Sequence, residues 1–248
     1  MNILNRAMSA AVVALCLVAP CAHASVVIAG TRVVFDAGQG ETTVRLTNDN
    51  TRPALVEAWI DDGDAHSTPD SARTPFLITP PLFRMEPHKD QSLRILYVQG
   101  SKPLPADRES LFWLNVLEIP PKPTGVAADK NTLQFAIRSR LKFFYRPANL
   151  PGDSTQAPGR LIFTAATEGQ NVTLVAHNPT PYYITISKLS MEVGGKMIAS
   201  DTGMVAPFSD LKLSVKGLSQ PPAAGTAVTF STINDYGTGD AHKGVIAK

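Results

Sequence analysis

Histidine, cysteine and carboxylate clusters are where catalysis or metal binding would first show. His66, His88, His177 and His242 stand in loops or turns, and no two share a metal-ligand spacing. The only cysteines, Cys16 and Cys21, lie in an apolar leader, so no thiol chemistry reaches the body of the chain. No strand-turn-helix nucleophile elbow, phosphate-binding loop or dinucleotide glycine pattern occurs. "DDGD" at 61–64 is acidic enough for calcium but lacks the later glutamate of a calcium loop, so it reads as a solvated turn. An enzyme, a metal site and a bound cofactor are therefore not expected, and no catalytic residue is assigned. Arg32 in "GTRVVFD" and Lys142 in "LKFFYRP", read on their own, are solvated strand charges.

The elements that carry these cations are strands. "NTLQFAIRSRLKFFYRP", residues 131–147, alternates Leu133, Phe135, Ile137, Ser139, Leu141, Phe143 and Tyr145 with Gln134, Arg138, Arg140 and Lys142. The period of two predicts one long strand with an apolar and a polar face. By alternation alone, an ordinary half-buried strand with its apolar face in its own core is the better reading. Further runs, "SVVIAGTRVVFDAG", "ETTVRLTNDN", "PALVEAWIDD", "SLRILYV" and "SLFWLNVLEI", are also extended, and 20 Pro and 17 Gly punctuate the chain. "RPANLPGDSTQAPG", residues 146–159, breaks the pattern and connects to a second set, from "RLIFTAAT" to "AVTFSTIND". No sequence repeat between the halves is evident.

The chain has 248 residues. Arg6, the apolar run from Ala10 to Ala19, and Ala22-His23-Ala24 before Ser25 form a signal peptide, residues 1–24, whose run is too short to span a membrane. Its removal takes one arginine and no acid, so the formal charge goes from +2 to +1. That balance suggests no nucleic-acid partner. The expected fold is all-β: two immunoglobulin-like β-sandwich domains set at an angle, residues 25–147 and 148–248.

"LPADRESLFWLNVLEIPP", residues 104–121, resembles the periplasmic pilus-assembly chaperones of the chaperone/usher system. "TRVVFD", "VEAWIDD", "PFLITPPLFRMEP", "LKFFYRP", "NPTPYYIT" and "NDYG" agree in the same order, and together they cover nearly the whole chain after the leader. The resemblance implies a periplasmic chaperone that binds pilus or fimbrial subunits by donor-strand complementation, keeps them from aggregating and delivers them to an outer-membrane usher. It implies that Leu133, Phe135 and Ile137 are lent to the subunit, and that Arg32 and Lys142 hold its C-terminal carboxylate. Glu109, Arg146 and Asp235 match a group that pairs across the two domains, and Pro80 matches a site of a cis bond. The connection "PPKPTGVAADKN" places the chain in the branch with a short loop before the donor strand. An exposed apolar segment 133–137 also leads one to expect a self-capping dimer of the free chain. The rival reading is a fimbrial structural subunit or adhesin. Such subunits usually carry a disulfide and one incomplete domain, which a chain without body cysteines and with two strand-rich halves does not suit.

Overall fold

The computed structural model describes residues 26–100, 103–124, 133–168 and 171–248. The leader, Ser25 and much of the connection before the long strand lie outside them. In the first half the strands are β1 (Val26–Ile28), β2 (Arg32–Asp36), β3 (Glu41–Asn48), β4 (Ala54–Asp61), β5 (Phe76–Thr79), β6 (Leu82–Met85), β7 (Asp90–Tyr97), β8 (Ser110–Ile119) and β9 (Ile137–Arg146). The second half holds β10 (Ile162–Glu168), β11 (Asn171–Asn178), β12 (Ile184–Val193), β13 (Lys196–Ala199), β14 (Gly203–Val205), β15 (Ser209–Val215), β16 (Ala227–Ile233) and β17 (Gly239–Val245). A short 3-10 turn at Ala157–Arg160 closes the connection.

Each half is a two-sheet sandwich. The first stacks β1-β3-β7-β5 on β2-β9-β8-β4-β6, and the second stacks β10-β11-β15 on β13-β12-β16-β17 with β14 beside β12. Alternation supplies each core. Phe35, Leu46, Leu93, Ile95, Leu114 and Phe143 fill the first, and Phe163, Leu174, Ile186, Leu189, Met191 and Phe230 fill the second. The expected all-β, two-domain architecture is what these strands build, and the Thr79–Pro80 bond is cis.

Two expectations need correction. "SVVIAGTRVVFD" is not one strand, because Gly30 adopts φ +100° and lets the chain leave β1 in one sheet for β2 in the other. The long strand also starts later than its alternation suggests. β9 begins at Ile137, since its last partner on β8 is Glu118 and that neighbour ends at Ile119, before Pro120 and Pro121. Alternation marks which face a side chain takes, but a strand also needs a neighbour to pair with.

Without a sequence repeat, the two halves still share a corner. Asn48 ends β3 fully buried, and its Nδ2 donates to the carbonyls of Arg52, Met85 and Glu86 while its Oδ1 accepts from the Asn50 amide. Asn178 ends β11 equally buried, donates to Tyr182 and Ala206 and accepts from the Thr180 amide. Each asparagine reaches a Pro-X corner, Pro87-His88 or Pro207-Phe208, whose second residue has positive φ, 56° and 53°. The two domains share this corner.

Candidate functional site: an open sheet edge that ends on two cations

β9 pairs with β8 along its whole length, but β2 pairs only with its later half, in parallel, from Arg32↔Lys142 to Asp36↔Arg146. Residues 137–141 therefore present a free sheet edge, with unpaired backbone groups open to another strand. In the later half, Leu141, Phe143 and Tyr145 are buried in the first core, as the alternation predicts. Leu133, Phe135 and Ile137 are 79%, 69% and 52% exposed, so the domain's own core does not take them. Ahead of β9, the segment is held by the Gln134 side chain, which donates to the Pro121 carbonyl at 2.7 Å.

The other face of β9 carries Arg138, Arg140 and Lys142, and the first two share the carboxylate of Asp61. Arg140 grips Asp61 through both oxygens, Nη2 to Oδ1 at 2.6 Å and Nε to Oδ2 at 3.1 Å, and lies over Trp113. Arg138 donates to Asn115 Oδ1, to the Ala65 carbonyl and to Ser67, and lies over Trp59. Asp61 is 1% exposed, so the "DDGD" turn is not a solvated one at its first residue. Burial pushes the Asp61 carboxyl up, but the hydrogen bonds from Arg140, Asn115 and the Gly63 amide, with the charge of Arg140, hold it below the usual range.

Lys142 has no such acid among the described residues. Its nearest polar contact is the Thr185 hydroxyl at 3.5 Å, across the domain boundary. Arg32 stands beside it in register and donates through Nη1 to the Ile233 carbonyl at 3.0 Å. Its Nε is buried with no hydrogen-bond partner among the described residues, and its guanidinium lies over Phe144. Burial, then the charge of Arg32, lowers the Lys142 pKa, and burial lowers that of Arg32 against the pull of Asp235 and Glu109. Two half-buried cations and an idle donor form a site that an anion would relieve.

The third expected group also meets. Arg146 Nε donates to Glu109 Oε1 at 2.7 Å, and its two Nη atoms reach the Asp235 oxygens at 2.8 and 3.0 Å. Ser154 donates to Asp235 at 3.0 Å. Glu109 Oε2 accepts the Tyr183 amide at 2.7 Å, and the Glu109 amide donates to Pro181. The residues sequence reasoning missed are Asp61, Asn115, Trp59 and Trp113. The only signal for them was that Arg138 and Arg140 share a strand face. No group of three or more metal-ligating side chains occurs among the described residues.

Two family models match the chain. Residues 25–151 match the "Pili and flagellar-assembly chaperone, PapD N-terminal domain", and residues 156–244 match the "Pili assembly chaperone PapD, C-terminal domain". The chaperone protein FimB/FhaD of Bordetella pertussis is 45% identical over 231 residues, 92% of this chain and 91% of that protein. The crystal structure of the YadV chaperone aligns with TM-score 0.76 at 38% identity, over 90% of this chain and 100% of that one. A structure of the Salmonella enterica SafA pilin in complex with the SafB chaperone aligns with TM-score 0.72 at 29% identity, over 92% of this chain and 99% of that chain.

Proposed function

This chain belongs to the pilus-assembly chaperone family, and on that premise we propose how it holds its client. It is a non-enzymatic chaperone of pilus subunits. The subunit, short of one strand, takes the free edge at residues 137–141 as its missing neighbour. Leu133, Phe135 and Ile137 enter its groove, each contributing about 1.5–3 kcal/mol of burial.

The single observation that carries this reading is the continuity of an exposed apolar edge with a cation pair on one strand. β2 occupies the edge of β9 from Lys142 onward, so a guest strand laid along 137–141 has to end there. Arg32 and Lys142 stand at that stop, where a guest running parallel to β9 would bring its C-terminal carboxylate. Gripping a terminus fixes register, and a one-residue slip would turn the wrong side chains into the groove. The leader, residues 1–24, supports export to the periplasm, with delivery of the subunit to an outer-membrane usher. Between synthesis and capture, the exposed apolar segment favours two free chains covering each other's edge.

The test uses a purified pilus subunit lacking its N-terminal extension, refolded with the chain and followed by gel filtration. Phe135→Asp places a charge in the groove and weakens capture on the order of a hundredfold. Capture at wild-type strength by this variant would end the reading.

A further inference from the structure

The half of β9 that lacks a neighbour on one side is held unusually well on its back face. Arg138 and Arg140, the two back-face arginines of residues 137–141, are both fixed by the same cluster. Asn115 joins them: its Nδ2 donates to Asp61 Oδ2 at 2.7 Å, and its Oδ1 accepts from Arg138 Nη2 at 2.7 Å and Nε at 2.9 Å. Arg138 also reaches the loop after β4 through the Ala65 carbonyl at 3.0 Å and Ser67 Oγ at 3.2 Å. Ser67 Oγ in turn accepts from Trp59 Nε1 at 3.1 Å. Asp61, Ser67 and Asn115 are all buried, and each guanidinium carbon lies over an indole ring, 4.7 Å from the Trp59 centroid and 4.2 Å from that of Trp113. The cluster thus ties β4, β8, β9 and the loop to the back of one half-strand. Regular pairing of β9 begins at Ile137, one residue before Arg138.

We infer that Arg138 and Arg140, locked by Asn115 and Asp61, are positioning residues that keep residues 137–141 extended and in register before a subunit arrives, and that Arg138 sets where the preformed edge begins. An edge strand with one neighbour exchanges conformations more readily than an interior strand. Ordering it at the moment of binding would subtract from affinity, whereas ordering it beforehand does not. Side chains do this work without occupying the edge: they grip the face that points away from the groove-filling residues. Arginine suits the task because its fork bonds several acceptors at once while its flat face stacks on tryptophan.

This inference rests on the donor-strand reading, and the experiment separates the two. Amide hydrogen exchange is measured on the full free chain for the wild type, Arg138→Gln, Arg138→Lys and Asn115→Ala. The same variants, with Ile137→Asp, are then tested for capture of the subunit lacking its N-terminal extension. Arg138→Gln is expected to raise exchange at least tenfold at 137–141 while 142–146 and the core amides around Leu93 stay as they were. The same variant is expected to release the subunit faster by a similar factor. Arg138→Lys keeps the charge but not the fork, so it restores only part of the protection. A general loss of stability would raise exchange through the whole domain. Uniform rises, or wild-type exchange at 137–141 in all three free-chain variants, overturn the positioning role. Undiminished capture by Ile137→Asp would instead overturn the donor-strand reading and leave the exchange result standing as a fact of the free chain.

Discussion

Unlike Arg138 and Arg140, Lys142 has no acid paired with it among the described residues. The three cations share a face of β9, and the alternation that places them there cannot rank them. The ranking comes from Asp61, which sits on β4 and reaches Arg140 and Arg138 but not Lys142. This is why the cation pair was legible only through resemblance to a family. The partner that disarms its neighbours is remote in sequence and carries no local mark. The residue scale also yields a pH prediction. Burial and the charge of Arg32 lower the Lys142 pKa in the free chain, and a bound carboxylate would raise it again. Capture of a subunit therefore weakens as pH rises through the free-chain value, which lies below the ordinary ~10.4 of lysine. Lys142→Arg keeps its charge over that range and should flatten the dependence; Lys142→Ala should lose roughly tenfold to a hundredfold at neutral pH. Equal slopes for wild type and Lys142→Arg, in dissociation constants measured from pH 7 to 10, would remove Lys142 from the site.

At the scale of elements, the contrast between the two domains is instructive. β17, the last strand of the second domain, ends its sheet, and just beyond it Ile246 bridges to Phe163 of β10. Its sequence, "GDAHKGV", has two glycines and charges at Asp240 and Lys243, the usual means of keeping an edge from pairing. The edge of β9 and the segment ahead of it carry Leu133, Phe135 and Ile137 instead. The second domain, then, has a blunted edge and the first an inviting one. The strands themselves were readable from period-two patterns, because each needs one apolar face for its core. The shared corner was not, since it depends on one buried asparagine and one Pro-X turn separated by dozens of residues and joined only in three dimensions. Asn178→Ala tests the corner. It strands the Tyr182 and Ala206 carbonyls and the Thr180 amide, each buried group left unpaired costing about 1–3 kcal/mol. A loss of more than about 2 kcal/mol in urea unfolding is expected. A loss below about 0.5 kcal/mol would mean that the asparagine merely occupies the corner.

At the scale of the whole molecule, the interdomain contact and the proposed anion site are one structure. Arg32 donates to the Ile233 carbonyl, two residues before Asp235, and Asp235 is held by Arg146 of the first domain. Gly237 follows at φ +82°, and a Cβ there would stand 2.3 Å from Thr31 Oγ1, so the turn 234–237 presses directly against the strand that carries Arg32. Asp235→Asn should therefore act at two places. Its loss of charge-assisted hydrogen bonds costs about 1.5–3 kcal/mol and lets the domains open, which solution scattering reads as a larger radius of gyration. With Ile233 displaced, Arg32 loses its anchor and the grip on a client carboxylate weakens. The acid response gives an independent check. Burial pushes the Asp235 carboxyl up, but the hydrogen bonds and charge of Arg146, with Ser154 and Arg32, prevail and hold it below the usual range. A lowered folded-state pKa gives stability that is present above the unfolded value of about 3.9 and lost as pH falls through the folded one. Burial raises the Glu109 carboxyl against the charge of Arg146, so its contribution has the opposite sign and is lost as pH rises through its folded value. Asp235→Asn removes the first and leaves burial, the larger cause, raising the second while taking away the smaller push of the Asp235 charge, so between pH 5 and pH 3 the variant should lose less stability than the wild type, although it starts lower. The remaining depressed carboxylates, Asp61 among them, are common to both chains and cancel in the difference. Parallel stability curves for the two chains over that range, with unchanged scattering, would mean that Arg146 and Asp235 touch without setting the angle at which Arg32 and Lys142 meet a guest.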